Sequence, residues 1–174
     1  MIRALIFDWD DTVMRVFPEF SGPMAHWSRV EAVHGIEHAL RAVKQSYGVG
    51  LASNAADSGP NLVRDALERV GLEKYFDDVF TARDIGAGKP DPVFFRAILR
   101  KLDCAPDEVV LVGDHFEADI SGAKKAGLWT VWFNPTSMAP PQNGEDMADV
   151  TIRGYSELEN ALMMISSRAL RIRY

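Results

Sequence analysis

Ala4-Leu5-Ile6-Phe7-Asp8-Trp9-Asp10-Asp11-Thr12 decides how the rest of this chain is read. Four apolar, β-prone residues run straight into acids, so a buried strand ends on charge. Side chains on an extended backbone alternate between faces. Asp8 and Asp10 can therefore project the same way while Trp9 turns aside. In open α/β sheets, ligands bind in the crevice beyond the carboxyl ends of the strands. Two neighbouring carboxylates repel, which suits a bound cation, a shared proton, or both. Taken alone, the stretch reads equally well as a polar turn with an aspartate cap.

Outward from that stretch, apolar β-prone runs alternate with amphipathic segments. Strands are expected at 4–7, 48–52, 78–81, 109–112 and 130–133, with a short sixth at 149–152. Continuous apolar runs such as Val109-Val110-Leu111-Val112 suit a parallel sheet covered on both faces. Helices are expected at 36–47, 61–70, 92–102, 117–126 and 158–165. Pro60 precedes and Gly71 follows the second helix, and Asp91 is placed to cap the third. The alternation predicts a Rossmann-like, doubly wound α/β fold: a three-layer sandwich around a mainly parallel sheet of five to six strands. Residues 134–144, with three prolines, read as a surface loop.

At 174 residues, one domain spanning 1–174 is the natural expectation. The net charge of −6 and the lack of a long basic run argue against a nucleic-acid partner. Cys104 is the single cysteine, so no intrachain disulfide is possible. No run approaches the ~20 apolar residues of a membrane span, and no secretory apolar segment follows Met1. The expectation is a cytoplasmic protein without a membrane partner.

Three further stretches carry chemistry. Leu51-Ala52-Ser53-Asn54 ends an apolar run on polar residues. Gly88-Lys89-Pro90-Asp91-Pro92 places a lysine before a helix start. Val109 to Asp114 ends another apolar run on an acid, with Asp119 five residues beyond. If their strands are parallel neighbours, Asp8, Asp10, Ser53 and Asp114 converge at one sheet edge, and Lys89 enters from its loop. Such a set reads as a phosphoryl-transfer site. A phosphate dianion repels a carboxylate nucleophile, so cations must offset the charge. Asp8 and Asp114 offer hard oxygen ligands suited to Mg²⁺. Lys89 adds a point charge, and Ser53 with nearby backbone N–H groups can hold phosphate oxygens.

The opening stretch resembles the Asp-x-Asp-x-Thr motif of the haloacid dehalogenase-like (HAD) hydrolase superfamily. The other three resemble that family's later motifs, in its order. The resemblance implies that Asp8 is a nucleophile forming an aspartyl-phosphate and that Asp10 is the acid/base, its backbone carbonyl also on Mg²⁺. It matches Thr12, Ser53, Asn54 and Lys89 to phosphate-holding positions. Asp114 matches the metal ligand beside Asp8, and Asp119 matches the second acid of that motif, which binds metal or its water, or holds the lysine. A carboxylate at Asp10 favours phosphate esters over carbon–halogen bonds, because halide leaves without a proton. The implied activity is a Mg²⁺-dependent phosphatase acting on a phosphorylated small molecule or a larger phosphorylated substrate. The rivals are a phosphotransferase or mutase using the same intermediate, and a non-catalytic phosphate-binding scaffold.

The sequence departs from the family pattern in three places. Asp11 stands where glycine is frequent, but Asp tolerates turn geometry. His115 follows Asp114 where a small polar residue is common, and reads more readily as packing than as a substrate contact. Residues 13–35 are too short for a helical cap and long enough for a flap, so no large cap domain is expected. Met14, Phe17, Phe20, Met24 and Trp27 within it read as core packing, a substrate rim, or the contact of a homo-oligomer. His34 and His38 have metal-capable spacing, but Gly35 intervenes and no third ligand is evident. Arg15 and Arg83 read as rim cations or solvated surface, and Arg168, Arg171 and Arg173 as a solvated helix end.

Overall fold

A computed structural model describes residues 1–142, 144 and 146–172. Its sheet has six strands, all parallel: β1 (Ala4–Asp8), β2 (Gly48–Ser53), β3 (Asp78–Thr81), β4 (Val109–Gly113), β5 (Trp129–Phe133) and β6 (Val150–Ile152). They lie in the order β3-β2-β1-β4-β5-β6. The order reverses between β1 and β4, so the crevice beyond their carboxyl ends is the switch point where such sheets bind ligands.

Alternation along the central strands explains the layers. Leu5 and Phe7 of β1, with Val110 and Val112 of β4, join one core cluster. Ala4 and Ile6, with Val109 and Leu111, join the cluster on the opposite face. The first face is covered by α1 (Ile36–Val43), α2 (Pro60–Arg69) and the later α6 (Leu158–Ile172). The second is covered by α4 (Pro92–Leu102) and α5 (Gly122–Lys125), while the short α3 (Ala82–Ile85) follows β3 directly. This is the expected Rossmann-like three-layer sandwich.

Element ends differ in instructive ways. The helix expected over 36–47 stops at Val43, and a short turn follows in which the Ser46 and Tyr47 N–H groups both donate to the Val43 carbonyl at 3.0 Å. The helix expected to end at 165 runs to Ile172, because Ala169 continues its buried stripe. Arg168 within it is no simple solvated cation: it donates to the Asp149 carbonyl at 2.9 Å. Arg173 lies outside the described residues, as does Asn143 of the proline-rich loop. That loop folds inward in part, since Asn134 is buried and exchanges two 2.9 Å hydrogen bonds with the Met138 backbone. The helix expected over 117–126 starts with a wide π-type turn (Phe116–Ser121) before α5.

Candidate active site

The strand ends deliver the acids where the pattern placed them. Asp8 closes β1 and is buried, while Trp9 turns into the core on the Leu5–Phe7 face. Asp10, one step on, is exposed at the crevice mouth. Asp11 adopts left-handed backbone at φ 51°, and its carboxylate accepts the Val16 N–H at 3.0 Å, fixing the turn. A helix-favouring run would have carried the chain past the sheet edge. Here the aspartate folds it back.

Lys89 is the centre of the site. Its ammonium is buried, pairs with Asp8, lies 2.7 Å from Asp119 Oδ1, and donates to the Ala52 carbonyl at 3.0 Å. Its backbone is clamped by the Asn54 amide: Lys89 N–H donates to Oδ1 at 2.7 Å, and Nδ2 donates to the Lys89 carbonyl at 2.8 Å. Asn54, expected to hold phosphate, therefore spends its side chain positioning the lysine. Gly113 makes Asp119 possible. A Cβ there would fall 2.5 Å from Asp119 Oδ2, so only glycine lets the π-turn press that carboxylate onto the end of β4. The second Asp119 oxygen accepts the His115 N–H at 3.0 Å.

Thr12 is fully buried and braces Asp114. Its hydroxyl donates to Asp114 Oδ1 and accepts the Asp114 N–H, both at 3.1 Å. Ser53 is also fully buried, and its hydroxyl oxygen accepts the Ala55 N–H at 3.0 Å. Neither is among the residues that line the cleft. The cleft itself, of 460 Å³, is walled by Asp8, Asp10, Asn54, Lys89, Asp114 and Asp119 among others. His115 also lines it, and its Nδ1 accepts the Ala118 N–H at 3.2 Å, so the ring works as a helix cap.

Charge is out of balance in this cleft. Six acidic side chains line it with one buried ammonium. Burial, then Asp8, push Asp10 up to about 6, although its exposure to solvent weakens both effects. Burial, then Asp8, also raise Asp114 to about 6 and Asp119 to about 7. Burial alone would lower the Lys89 pKa, but Asp119 and Asp8 outweigh it and hold the ammonium above its ordinary value. One oxygen from each of Asp8, Asp114 and Asp119 lies within 4.8 Å of the others. Asp119 Oδ1 is buried and accepts no well-directed hydrogen bond despite the nearby ammonium. An all-oxygen donor set with surplus negative charge fits a hard divalent cation.

A family model described as haloacid dehalogenase-like hydrolase matches residues 5–133. The chain belongs to that family. A ribulose-1,5-bisphosphate 5-phosphatase from Halopiger xanaduensis is 44% identical over 82 residues, covering 47% of this chain and 34% of that protein. A glyceraldehyde 3-phosphate phosphatase from Methanocaldococcus jannaschii is 29% identical over 134 residues, covering 76% of this chain and 58% of that protein. The chain thus spans about a third to somewhat over half of these relatives. A solved structure of an uncharacterised protein from Listeria monocytogenes serotype 4b superposes with a TM-score of 0.83 at 23% identity, covering 95% of this chain and 99% of that one. That likeness speaks to the fold.

Against the family pattern, two supporting residues were not foreseen. Tyr155 donates its hydroxyl to the Thr12 carbonyl at 2.6 Å, and Trp132 donates its indole N–H to the Asp114 carbonyl at 2.9 Å. Both brace motif backbone from distant elements, and no local spacing signals them. Of the proposed rim cations, Arg83 donates to the Asp57 carbonyl at 2.8 Å and Arg15 pairs with Glu31 at 3.0 Å. His34 and His38 are exposed and belong to no cluster of three candidate metal ligands among the described residues. No described helix is long and apolar enough to cross a membrane.

Proposed function

We propose that this protein is a Mg²⁺-dependent phosphatase that hydrolyses a phosphate monoester through an aspartyl-phosphate on Asp8. The observation that carries the reading is the Lys89 ammonium, buried between Asp8 and Asp119 at the foot of an acid-rich cleft. Pairing one Asp8 oxygen with Lys89 fixes the carboxylate plane, so the other can attack phosphorus in line. As that bond forms, the ester P–O bond breaks. Asp10, held near neutrality in pKa, gives its proton to the departing alcohol oxygen. In the second half, Asp10 takes a proton from water, which attacks phosphorus and releases phosphate from Asp8. Lys89 offsets charge on the transferring group. Mg²⁺, held by Asp8, Asp114, Asp119 and the Asp10 carbonyl, would supply the remaining positive charge.

The names of the relatives support a phosphorylated small molecule as substrate. Exposure of Asp10 to solvent favours water over a second alcohol as acceptor, which argues for hydrolysis over phosphotransfer. A complete Asp8, Asp10, Lys89 and Asp114 set argues against a silent scaffold. The test is phosphate release from acetyl phosphate and a panel of monoesters, with Mg²⁺ or with excess EDTA. Mg²⁺-dependent release is expected, with none from Asp8→Asn. Equal release in EDTA, or from Asp8→Asn, defeats the reading.

A further inference from the structure

Two other cavities adjoin the catalytic cleft, and they differ sharply in chemistry. One, of 610 Å³, meets the cleft at Asp11 and carries Arg15, His34, His38 and Arg153. The other, of 460 Å³, is lined by Asp10 itself, together with Trp9, Val16, Phe20, Met24 and Trp27. Its remaining wall comes from residues 55–58, the loop that follows Ser53. No lysine, arginine or histidine lines it; its charged groups are Asp10 and Asp57.

The aromatic wall is built in advance. Phe20 and Trp27 lie with ring centroids 5.5 Å apart, and Phe17 meets Phe20 edge-on at 6.3 Å. The Trp27 indole N–H is held by the Ser21 and Gly22 carbonyls, at 3.2 and 3.0 Å. Arg69, reaching over from α2, donates to the Ala25 and Trp27 carbonyls at 3.0 and 2.7 Å. An aromatic pair fixed this way can accept another ring without reorganising.

Asp10 decides which cavity the substrate uses. On the phosphatase reading, on which this inference rests, the leaving oxygen must touch Asp10. The group attached to that oxygen therefore leaves the cleft beside Asp10. We propose that the aromatic cavity receives the alcohol part of the ester, and that this part is uncharged and presents a flat ring. A second phosphate or a carboxylate would meet Asp10 and Asp57 with no cation lining the cavity, since Arg69 and Arg83 behind its wall are engaged by backbone carbonyls, and is disfavoured.

The experiment compares esters of matched leaving-group reactivity: benzyl phosphate, cyclohexylmethyl phosphate, glycerol phosphate and a sugar bisphosphate, with acetyl phosphate as a probe too small to fill the cavity. With Mg²⁺, kcat/KM for benzyl phosphate is expected to exceed that for glycerol phosphate by about five-fold, the low end of what one stacked ring supplies. The bisphosphate is expected to be poorest. Phe20→Leu should lower the benzyl-to-glycerol ratio, chiefly through KM. Val16→Lys, at an exposed wall position, should raise bisphosphate relative to glycerol phosphate. No release from acetyl phosphate overturns the phosphatase reading and this inference together. Acetyl phosphate turnover without benzyl preference overturns the inference alone. So does a Phe20→Leu protein whose ester ratio is intact and whose mass in solution has changed, which would make the wall a contact between copies.

Discussion

At the scale of single residues, each acid in the cleft is distinguished by what else it touches. Asp8 is committed to Lys89, Asp114 to Thr12, and Asp119 to Lys89 and the His115 N–H. Of these four motif acids, Asp10 is the exposed one, and it has the raised pKa a proton donor needs. Replacing Asp10 with Ala should therefore slow esters of ordinary alcohols far more than esters of acidic phenols. A loss on the order of a hundred-fold is expected for the former. Plotting log kcat against leaving-group pKa measures it: a steeper slope in the variant is expected, and an unchanged slope removes Asp10 from proton transfer. Gly113 offers a test of packing. A methyl group there collides with Asp119, so Gly113→Ala should cost about 1–3 kcal/mol of stability and weaken Mg²⁺ binding. Chemical denaturation and calorimetric titration read the two effects. An unperturbed protein would mean that Asp119 moves aside freely.

At the scale of elements, what was legible is what local chemistry controls. The strand of residues 4–8 showed as an apolar run ending in acids, and the helix Pro92–Leu102 showed through its Asp91 cap, whose carboxylate accepts the Val93 N–H at 2.8 Å. Motif order on a parallel sheet leads to the expectation that Asp8, Asp10, Ser53 and Asp114 converge with Lys89, whereas Asp119 is signalled only by the family resemblance. Three features were not legible. The Asn54 clamp on Lys89 joins loops 35 residues apart. The π-turn at Phe116–Ser121 carries Asp119 to Lys89, a tertiary contact that an apolar periodicity does not record. The flap at 13–35 divides its aromatic residues: Phe17 is buried, while Phe20 and Trp27 line a cavity, and composition cannot separate the two roles. The Asn54 clamp carries its own test. Asn54→Ala removes both backbone bonds and should lower kcat at least ten-fold by loosening Lys89, while leaving the melting temperature nearly unchanged. If kcat holds, the lysine is positioned by its carboxylates alone.

At the scale of the whole molecule, the surplus of acids in the cleft links stability to pH. Asp10, Asp114 and Asp119 have folded-state pKa values near 6, 6 and 7, above the 3.8 of a free aspartate. The folded protein therefore binds more protons than the unfolded chain between about pH 4 and 7. Their favourable contribution is complete below about pH 4 and is lost as pH rises through 6 to 7. The cation-free protein should melt at a higher temperature at pH 5 than at pH 7.5. Saturating Mg²⁺ should shrink that difference, because the cation takes the place of the protons. Thermal scans at both pH values, with and without Mg²⁺, check this; a cation-free protein more stable at pH 7.5 contradicts it.

The placement of β1 also matters while the chain is being made. Asp8 is synthesised 81 residues ahead of Lys89, and Thr12 143 residues ahead of Tyr155. At the ribosome's pace of about 5–20 residues per second, the gap to Lys89 alone lasts on the order of ten seconds. Throughout that interval the apolar strand at the centre of the finished sheet has only β2 and β3 for company, and its β4 side is bare. A nascent chain of this protein therefore offers a hydrophobic strand to chaperones, or to neighbouring nascent chains on the same message, before any of its chemistry can begin.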